Sequence, residues 1–268
     1  EDADGKWMPD VNSRLYASSD WQDYSVLVPT RPEAVTASIA FVAKKTVAVR
    51  DVRMKRISAA EAAEMVNREY AAGPKLKPEA TAADWTKLPN TRVAIKVAKD
   101  FRIVFLGDSI MNDTWCGGFN ALLAMEYPDT VFRSYLSVRG STGCWYYHES
   151  AHFEEYVAKF KPNLVVIGGC SNYQDGKMSP KEAEDWMVET VERCKALGAE
   201  VVICTPPKSR EFRADPSAKP FAANADDQWF RCDYLRRAAD RAGAQLWDMT
   251  TGPCGAVAGS GKPLGWFN

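Results

Sequence analysis

From Phe101 onward the chain alternates short apolar runs with amphipathic stretches of helical length, and no other feature constrains its fold as strongly. The most apolar run, Phe101-Arg102-Ile103-Val104-Phe105-Leu106, reads as a buried strand that ends at Gly107-Asp108-Ser109-Ile110. Strands are expected at 101–107, 131–137, 163–168, 200–204 and 245–247, with helices near 114–126, 149–159, 180–197 and 227–242. Ser179-Pro180-Lys181-Glu182 is a helix start: an N-cap serine, a proline in the first turn and a glutamate three residues on. Gly198 and Gly243 stand where helices end before the next strand. Such a βαβαβ order predicts an α/β fold with a mostly parallel sheet covered on both faces.

The chain before Phe101 follows another pattern. Residues 1–57 read as a small β module, with strands over Tyr24 to Pro29, Val35 to Ala43 and Thr46 to Ile57. The alternation in Val47-Ala48-Val49-Arg50-Asp51-Val52-Arg53-Met54 fits a sheet with one wet face. Residues 58–98 connect. Ser58-Ala59-Ala60-Glu61 is a capping-box pattern opening a helix to about Tyr70, which Ala71-Ala72-Gly73-Pro74 stops. Lys75 to Lys87 reads as a linker and Arg92 to Val97 as a strand. The expected organisation is therefore 1–57, 58–98 and 99–268.

Composition excludes several classes. With 46% hydrophobic residues a sizeable core can be buried, and a net charge of −1 gives no general pull toward nucleic acid or acidic membranes. No apolar stretch is long enough to cross a bilayer. The first residue is Glu1 and no signal-like segment is present, so the chain is expected to have been trimmed from something longer. None of the seven cysteines forms a Cys-x-x-Cys pair, which argues against a zinc ribbon or a thioredoxin-type site. Cys170, Cys194 and Cys204 read as buried thiols, while Cys116 with Cys144 and Cys232 with Cys254 fall near loops and are open to pairing. The glycine pattern is neither a phosphate-binding P-loop nor a dinucleotide fingerprint, and no cofactor is expected.

Chemistry concentrates at three strand ends. A serine needs a base and oxyanion donors to act as a nucleophile. Ser109 follows the first α/β strand, Val138-Arg139-Gly140-Ser141-Thr142-Gly143-Cys144 the second, and Gly168-Gly169-Cys170-Ser171-Asn172 the third. Open α/β sheets place their ligands at such carboxyl ends. Ser109 would attack an acyl carbon, its own N–H and that of Gly143 would face the oxyanion, and Asn172 would add a side-chain amide. Asp108 reads as a loop-stabilising carboxylate, and Asn112 and Asp113 as caps of the next helix. Arg139 is open to meeting a substrate carboxylate, and Trp145-Tyr146-Tyr147 to forming either a sugar-stacking platform or packing beneath the loop. The chain has two histidines, His148 and His152; the first is open to a role as substitute base, and both with Glu149 to metal binding.

In these three blocks the chain resembles the GDSL or SGNH hydrolases. The resemblance covers roughly 101–268 and implies a flavodoxin-like fold, an esterase or lipase activity, Ser109 as nucleophile, and Gly143 and Asn172 as oxyanion donors. Carbohydrate deacetylases are among its members, which implies an ester substrate on a small molecule or polysaccharide and an extracytoplasmic location. The family's usual third block, Gly-x-Asn-Asp, would instead put Ser171 in the donor register. Its last block, Asp-x-x-His, has no counterpart before Asn268, so the base is expected from residues further on. The segment from Trp21-Gln22-Asp23-Tyr24-Ser25 to Met54 is similar to the last strands of a carbohydrate-binding β-sandwich. The alternative class is a catalytically dead relative that holds glycan without cleaving it.

Overall fold

The structure, a computed structural model, describes residues 21, 23, 48–72, 85–98, 100–116, 119–170, 178–206 and 229–249. Five strands form one all-parallel sheet: β1 (Phe101–Gly107), β2 (Phe132–Val138), β3 (Leu164–Gly168), β4 (Glu200–Cys204) and β5 (Gln245–Trp247). Their order is β2-β1-β3-β4-β5, the doubly wound order of the flavodoxin-like fold. The connecting helices are α3 (Ser109–Cys116), α4 (Phe119–Glu126), α5 (Cys144–Tyr147), α6 (Ser150–Tyr156), α7 (Pro180–Ala196) and α8 (Trp229–Arg241), and α1 (Ala59–Ala72) and α2 (Pro89–Ala94) precede the sheet.

The strand sequences are apolar on both faces because both faces are covered. Val104 and Leu106 of β1 join Val165, Ile167, Val201 and Ile203 in a core closed by α5, α6, α7 and α8. The alternate residues Ile103 and Phe105 join Leu136, Val166 and Cys204 in a second core, closed by Leu88 and by Met111 of α3. The result is three layers. Among the described residues no helix is long and apolar enough to cross a membrane.

Several local expectations hold because their chemistry is local. Ser179 accepts from the Glu182 N–H and Glu182 accepts in return from the Ser179 N–H, a complete capping box on α7. Ser58 and Glu61 do the same for α1. Others fail for reasons of distance along the chain. The strand expected over Arg92 to Val97 is not formed: residues 92–94 end the helix α2 and 95–97 are turn, and the helix starts at Pro89 because the Glu200 carboxylate at the start of β4 accepts from the N–H groups of Asn90 (2.8 Å) and Thr91 (2.7 Å). Pro89 at the first helical position suits that start. Thr130 Oγ1 donates to Ile95 O at 2.5 Å and ties the segment to the chain entering β2. Residues 48–57 form no strand, so the alternation there is not that of a sheet; the rest of the expected β module lies outside the described residues, save Trp21, on whose ring the Arg50 guanidinium rests at 4.2 Å, and Asp23. The helix expected near 114–126 is two helices, and the first starts five residues early, at Ser109.

Candidate active site at the carboxyl edge of the sheet

The early start of α3 is the work of Asp108. Its carboxylate accepts from the Ile110 N–H at 2.9 Å, and its carbonyl accepts from the Asn112 N–H at 3.2 Å, so the helix begins directly where the strand ends. Asn112 and Asp113 therefore sit inside α3 and not at its start, which corrects the sequence expectation. Asp108 itself is fully buried, as expected of a loop-stabilising carboxylate, and Ser109, the next residue, is exposed. As the first residue of α3, Ser109 has an N–H with no intrahelical acceptor, at the end of the helix that favours negative charge.

Two glycines let the lips of β1 and β3 close around this turn. A Cβ at Gly107 would lie 1.9 Å from the carbonyl oxygen of its register partner Gly168. A Cβ at Gly169, where φ is +71°, would lie 1.8 Å from Asp108 Oδ1, so the buried carboxylate rests on the bare Cα of the neighbouring lip. Cys170 follows with φ +48°, and its carbonyl accepts from the Tyr234 hydroxyl of α8 at 2.7 Å. The strand order sets β2 and β3 on either side of β1, so Ser109 stands between the second and third lips at the point where the winding of the sheet reverses.

On the β2 side, Gly107 pairs with Val138 and the Arg139 N–H donates to Gly107 O at 3.1 Å. Thr142, buried, donates its hydroxyl to Arg139 O at 2.5 Å and shapes the loop that leads to Gly143. Gly143 is buried and extended (φ −145°, ψ −169°) and precedes α5; its carbonyl accepts from the Tyr146 N–H at 3.1 Å. Tyr147 sews the two lips together. Its hydroxyl, fully buried, donates to Gly107 O at 2.5 Å and accepts from the Arg139 N–H at 3.1 Å. Burial, with the nearby Cys170, pushes its phenol well above the ordinary range, so it works as a neutral hydrogen-bonding group. Nothing in the aromatic run Trp145-Tyr146-Tyr147 marks the third residue for this task.

The structure brings Ser109 and the Gly143 loop to one edge; Asn172 and Ser171 lie outside the described residues. The aromatic run packs beneath the loop and offers no broad stacking face, since Tyr146 and Tyr147 are buried and only Trp145 is partly exposed. His148 is committed to α7. Its Nδ1 lies 2.9 Å from Glu189 Oε2, its ring stacks on Trp186 at 5.2 Å, and its carbonyl accepts from Arg193 at 2.8 Å. His152 stacks on Tyr146 at 3.7 Å with Nδ1 2.9 Å from Tyr146 O. The histidines thus have separate partners, and no group of three His, Cys, Asp or Glu side chains among the described residues is placed to hold a metal.

The pairing of Cys116 with Cys144 is not made. Cys144 is a free, buried thiol with Sγ 4.0 Å from Met178 Sδ. Cys170, Cys194 and Cys204 are free and buried, as expected. Burial pushes the Cys144, Cys194 and Cys204 thiols up to about 12, and burial with the Asp108 charge holds Cys170 well above its usual value. The partner expected for Cys254, Cys232, belongs with residues whose side chains are outside the description, as is Cys254. At the far end of the rim, Asp248 after β5 accepts from Thr205 (2.9 Å) and from Arg236 (2.9 and 3.2 Å), holding the ends of β4 and β5 to α8.

The fold and site together define an open α/β protein with an exposed serine at its switch point. Compared with protein-family models and with curated protein sequences, the chain matches none. Among solved structures it is similar to an alpha/beta hydrolase from the metagenome of Lake Arreo, Spain, at 20% identity and TM-score 0.46, over 62% of this chain and 83% of that one. It is similar to an acetylxylan esterase from Geobacillus stearothermophilus at 17% identity and TM-score 0.44, over 58% and 79%. A two-domain esterase active on acetylated mannans is similar at 15% identity and TM-score 0.49, over 67% of this chain and 45% of that one.

Proposed function

We propose that the protein is a serine ester hydrolase of the GDSL or SGNH type that removes acyl groups, O-acetyl groups on carbohydrate in particular, through an acyl-Ser109 intermediate. The observation that carries the reading is the exposed hydroxyl-bearing residue at the first turn of α3, between the lips of β2 and β3, on a loop locked from below by a fully buried Asp108.

Ser109 Oγ bonds to the acyl carbon while its proton passes to a histidine base. The oxyanion collapses, the bond to the sugar oxygen breaks, and that oxygen takes the proton. Water then repeats the sequence and frees Ser109. The N–H groups of Ser109 and Gly143 and the Asn172 amide are assigned to the oxyanion, where one such donor is worth about 3–4 kcal/mol in the transition state. Neither His148 nor His152 is assigned as base, because each ring is engaged elsewhere. The base is assigned to the Asp-x-x-His block that the resemblance sets after the fifth strand. A carbohydrate ester substrate would also put the working compartment outside the cytoplasm.

The test is hydrolysis of p-nitrophenyl acetate by the full-length protein, with and without Ser109→Ala. Loss of at least about 10³-fold in kcat is expected. Equal rates would overturn the reading, and saturable binding of polysaccharide without turnover would favour the glycan-holding alternative.

A further inference from the structure

We infer that Arg139 is a substrate-carboxylate receptor, which makes the preferred substrate an acyl ester on a uronate-bearing sugar; the inference rests on the proposed esterase reading. The described arginines of the α/β region are mostly neutralised. Arg102 and Arg133 share Asp100, Arg236 holds Asp248 and Asp233, and Arg237 and Arg241 hold Glu184. Arg139 differs. Its side chain is held by phenols: Nη1 donates to the Tyr146 hydroxyl at 2.8 Å, the guanidinium lies 4.6 Å from the Tyr146 ring centre, and Tyr156 stands close by. Among the described residues it forms no ion pair with a carboxylate, its side-chain partners being phenols.

Its position is as specific as its surroundings. Arg139 directly follows Val138, the register partner of Gly107 on the strand next door, and its N–H donates to Gly107 O, two residues before Ser109. Its backbone is fixed by three hydrogen bonds, to Gly107 O, the Tyr147 hydroxyl and the Thr142 hydroxyl. The Tyr146 ring that carries the guanidinium is itself stacked on His152. The residue is exposed, so the cation is both oriented and open to solvent. A guanidinium fixed in advance loses little freedom when it meets an anion, and its planar edge matches a carboxylate through two parallel hydrogen bonds. A uronate carboxylate one ring position from an ester held at Ser109 would meet it. Tyr146 is then a positioning residue that acts through Arg139.

The experiment compares a matched pair of probes, methyl 4-O-acetyl-glucuronoside and methyl 4-O-acetyl-glucoside, on the same full-length protein. The ratio of their kcat/KM values is the readout. The wild type is expected to prefer the acid by about 10-fold or more, the size of one charge-assisted contact, and the preference is expected to shrink with added salt. Arg139→Gln is expected to bring the ratio to near one, Arg139→Lys to keep part of it, and Tyr146→Phe to lower it with the charge intact. A wild-type ratio near one, or a ratio unchanged in Arg139→Gln, would overturn the inference. Binding separates it from the esterase reading. Titration of methyl glucuronoside and methyl glucoside into Ser109→Ala and into Ser109→Ala/Arg139→Gln reads the receptor without turnover. Uronate-selective binding lost with Arg139 would support the receptor even if no ester were cleaved, and equal weak binding of both sugars would overturn it.

Discussion

Replacing Tyr147 with Phe removes one oxygen and nothing else, and that oxygen joins the lips of β1 and β2. It donates to Gly107 O at 2.5 Å and accepts from the Arg139 N–H at 3.1 Å, in a fully buried setting. The two backbone groups also bond each other at 3.1 Å, so neither is left bare when the hydroxyl goes. The cost is then one net hydrogen bond, about 1 kcal/mol, plus part of the penalty for an under-satisfied buried carbonyl, for a total of about 1.5–2 kcal/mol. For a chain of this size each kcal/mol lowers Tm by about 2–4 °C, so a fall of about 3–8 °C is expected in a thermal melt followed by circular dichroism. Gly107 lies two residues before Ser109, and Arg139 four before Gly143. Freeing the lips should therefore also lower kcat/KM for p-nitrophenyl acetate, by roughly 10-fold, since a misplacement of an ångström at a catalytic group costs up to about 100-fold. A Tyr147→Phe protein that melts within a degree of the wild type and keeps its kcat/KM would show that the hydroxyl does not hold the rim.

Three further outcomes follow from the same geometry. Gly169→Ala would set a Cβ 1.8 Å from Asp108 Oδ1 at φ +71°, and should cost more than about 2 kcal/mol and displace Ser109; a Tm equal to that of wild type would refute it. Burial alone would raise the Glu184 carboxyl, but the hydrogen bonds from Arg237 and Arg241 outweigh it and hold the group below its ordinary 4.5. Its stabilising effect is therefore complete above pH 4.5 and lost as pH falls through the depressed value, so the gap between urea midpoints of wild type and Glu184→Gln should narrow progressively as the pH falls below 4.5; a gap that stays constant throughout acid titration would contradict this. Cys144, Cys170, Cys194 and Cys204 should resist a thiol reagent at pH 8 in the folded protein and react in denaturant, read by peptide mass spectrometry; rapid native labelling of any of the four would show that its burial is wrong.

What the sequence makes legible is whatever short stretches decide for themselves. The apolar runs mark all five strands, because a parallel sheet buries both faces and leaves no polar alternation to confuse. The two capping boxes mark the starts of α1 and α7, because a serine and a glutamate three residues on complete each other. The place of Ser109 in the fold is legible for the same reason: a serine just after a buried strand and opening a helix lies at the carboxyl edge whatever the rest of the chain does. The misses have the opposite origin. The helix over residues 89–94 depends on Glu200, 110 positions from Asn90. The sewing of the rim depends on Tyr147, 40 positions from Gly107, in a run where three aromatic residues look alike. The settlement of His148 depends on Glu189 and Trp186 of α7.

The same division explains how such a site can tolerate change. The serine proposed to react is placed by its neighbours in sequence, Gly107 and Asp108, and by the strand behind them. The groups that hold the other two lips at working distance come from afar: Tyr147 for β2 and Tyr234 for β3. Each phenol bonds backbone groups, Tyr147 donating to the Gly107 carbonyl and accepting from the Arg139 N–H and Tyr234 donating to the Cys170 carbonyl, so the interaction reads no side chain on the lip it holds. Lip residues such as Arg139 and Ser141 can then vary in chemistry while the backbone beneath them stays put, and substrate preference can shift without moving Ser109. This predicts an asymmetry across the rim. Tyr234→Phe, which releases the Cys170 carbonyl, should lower activity on charged and neutral esters by the same factor, because it moves a lip. Arg139→Gln should change the ratio between them, because it alters what the lip displays. If both variants changed the ratio equally, framework and recognition would not be separable at this rim.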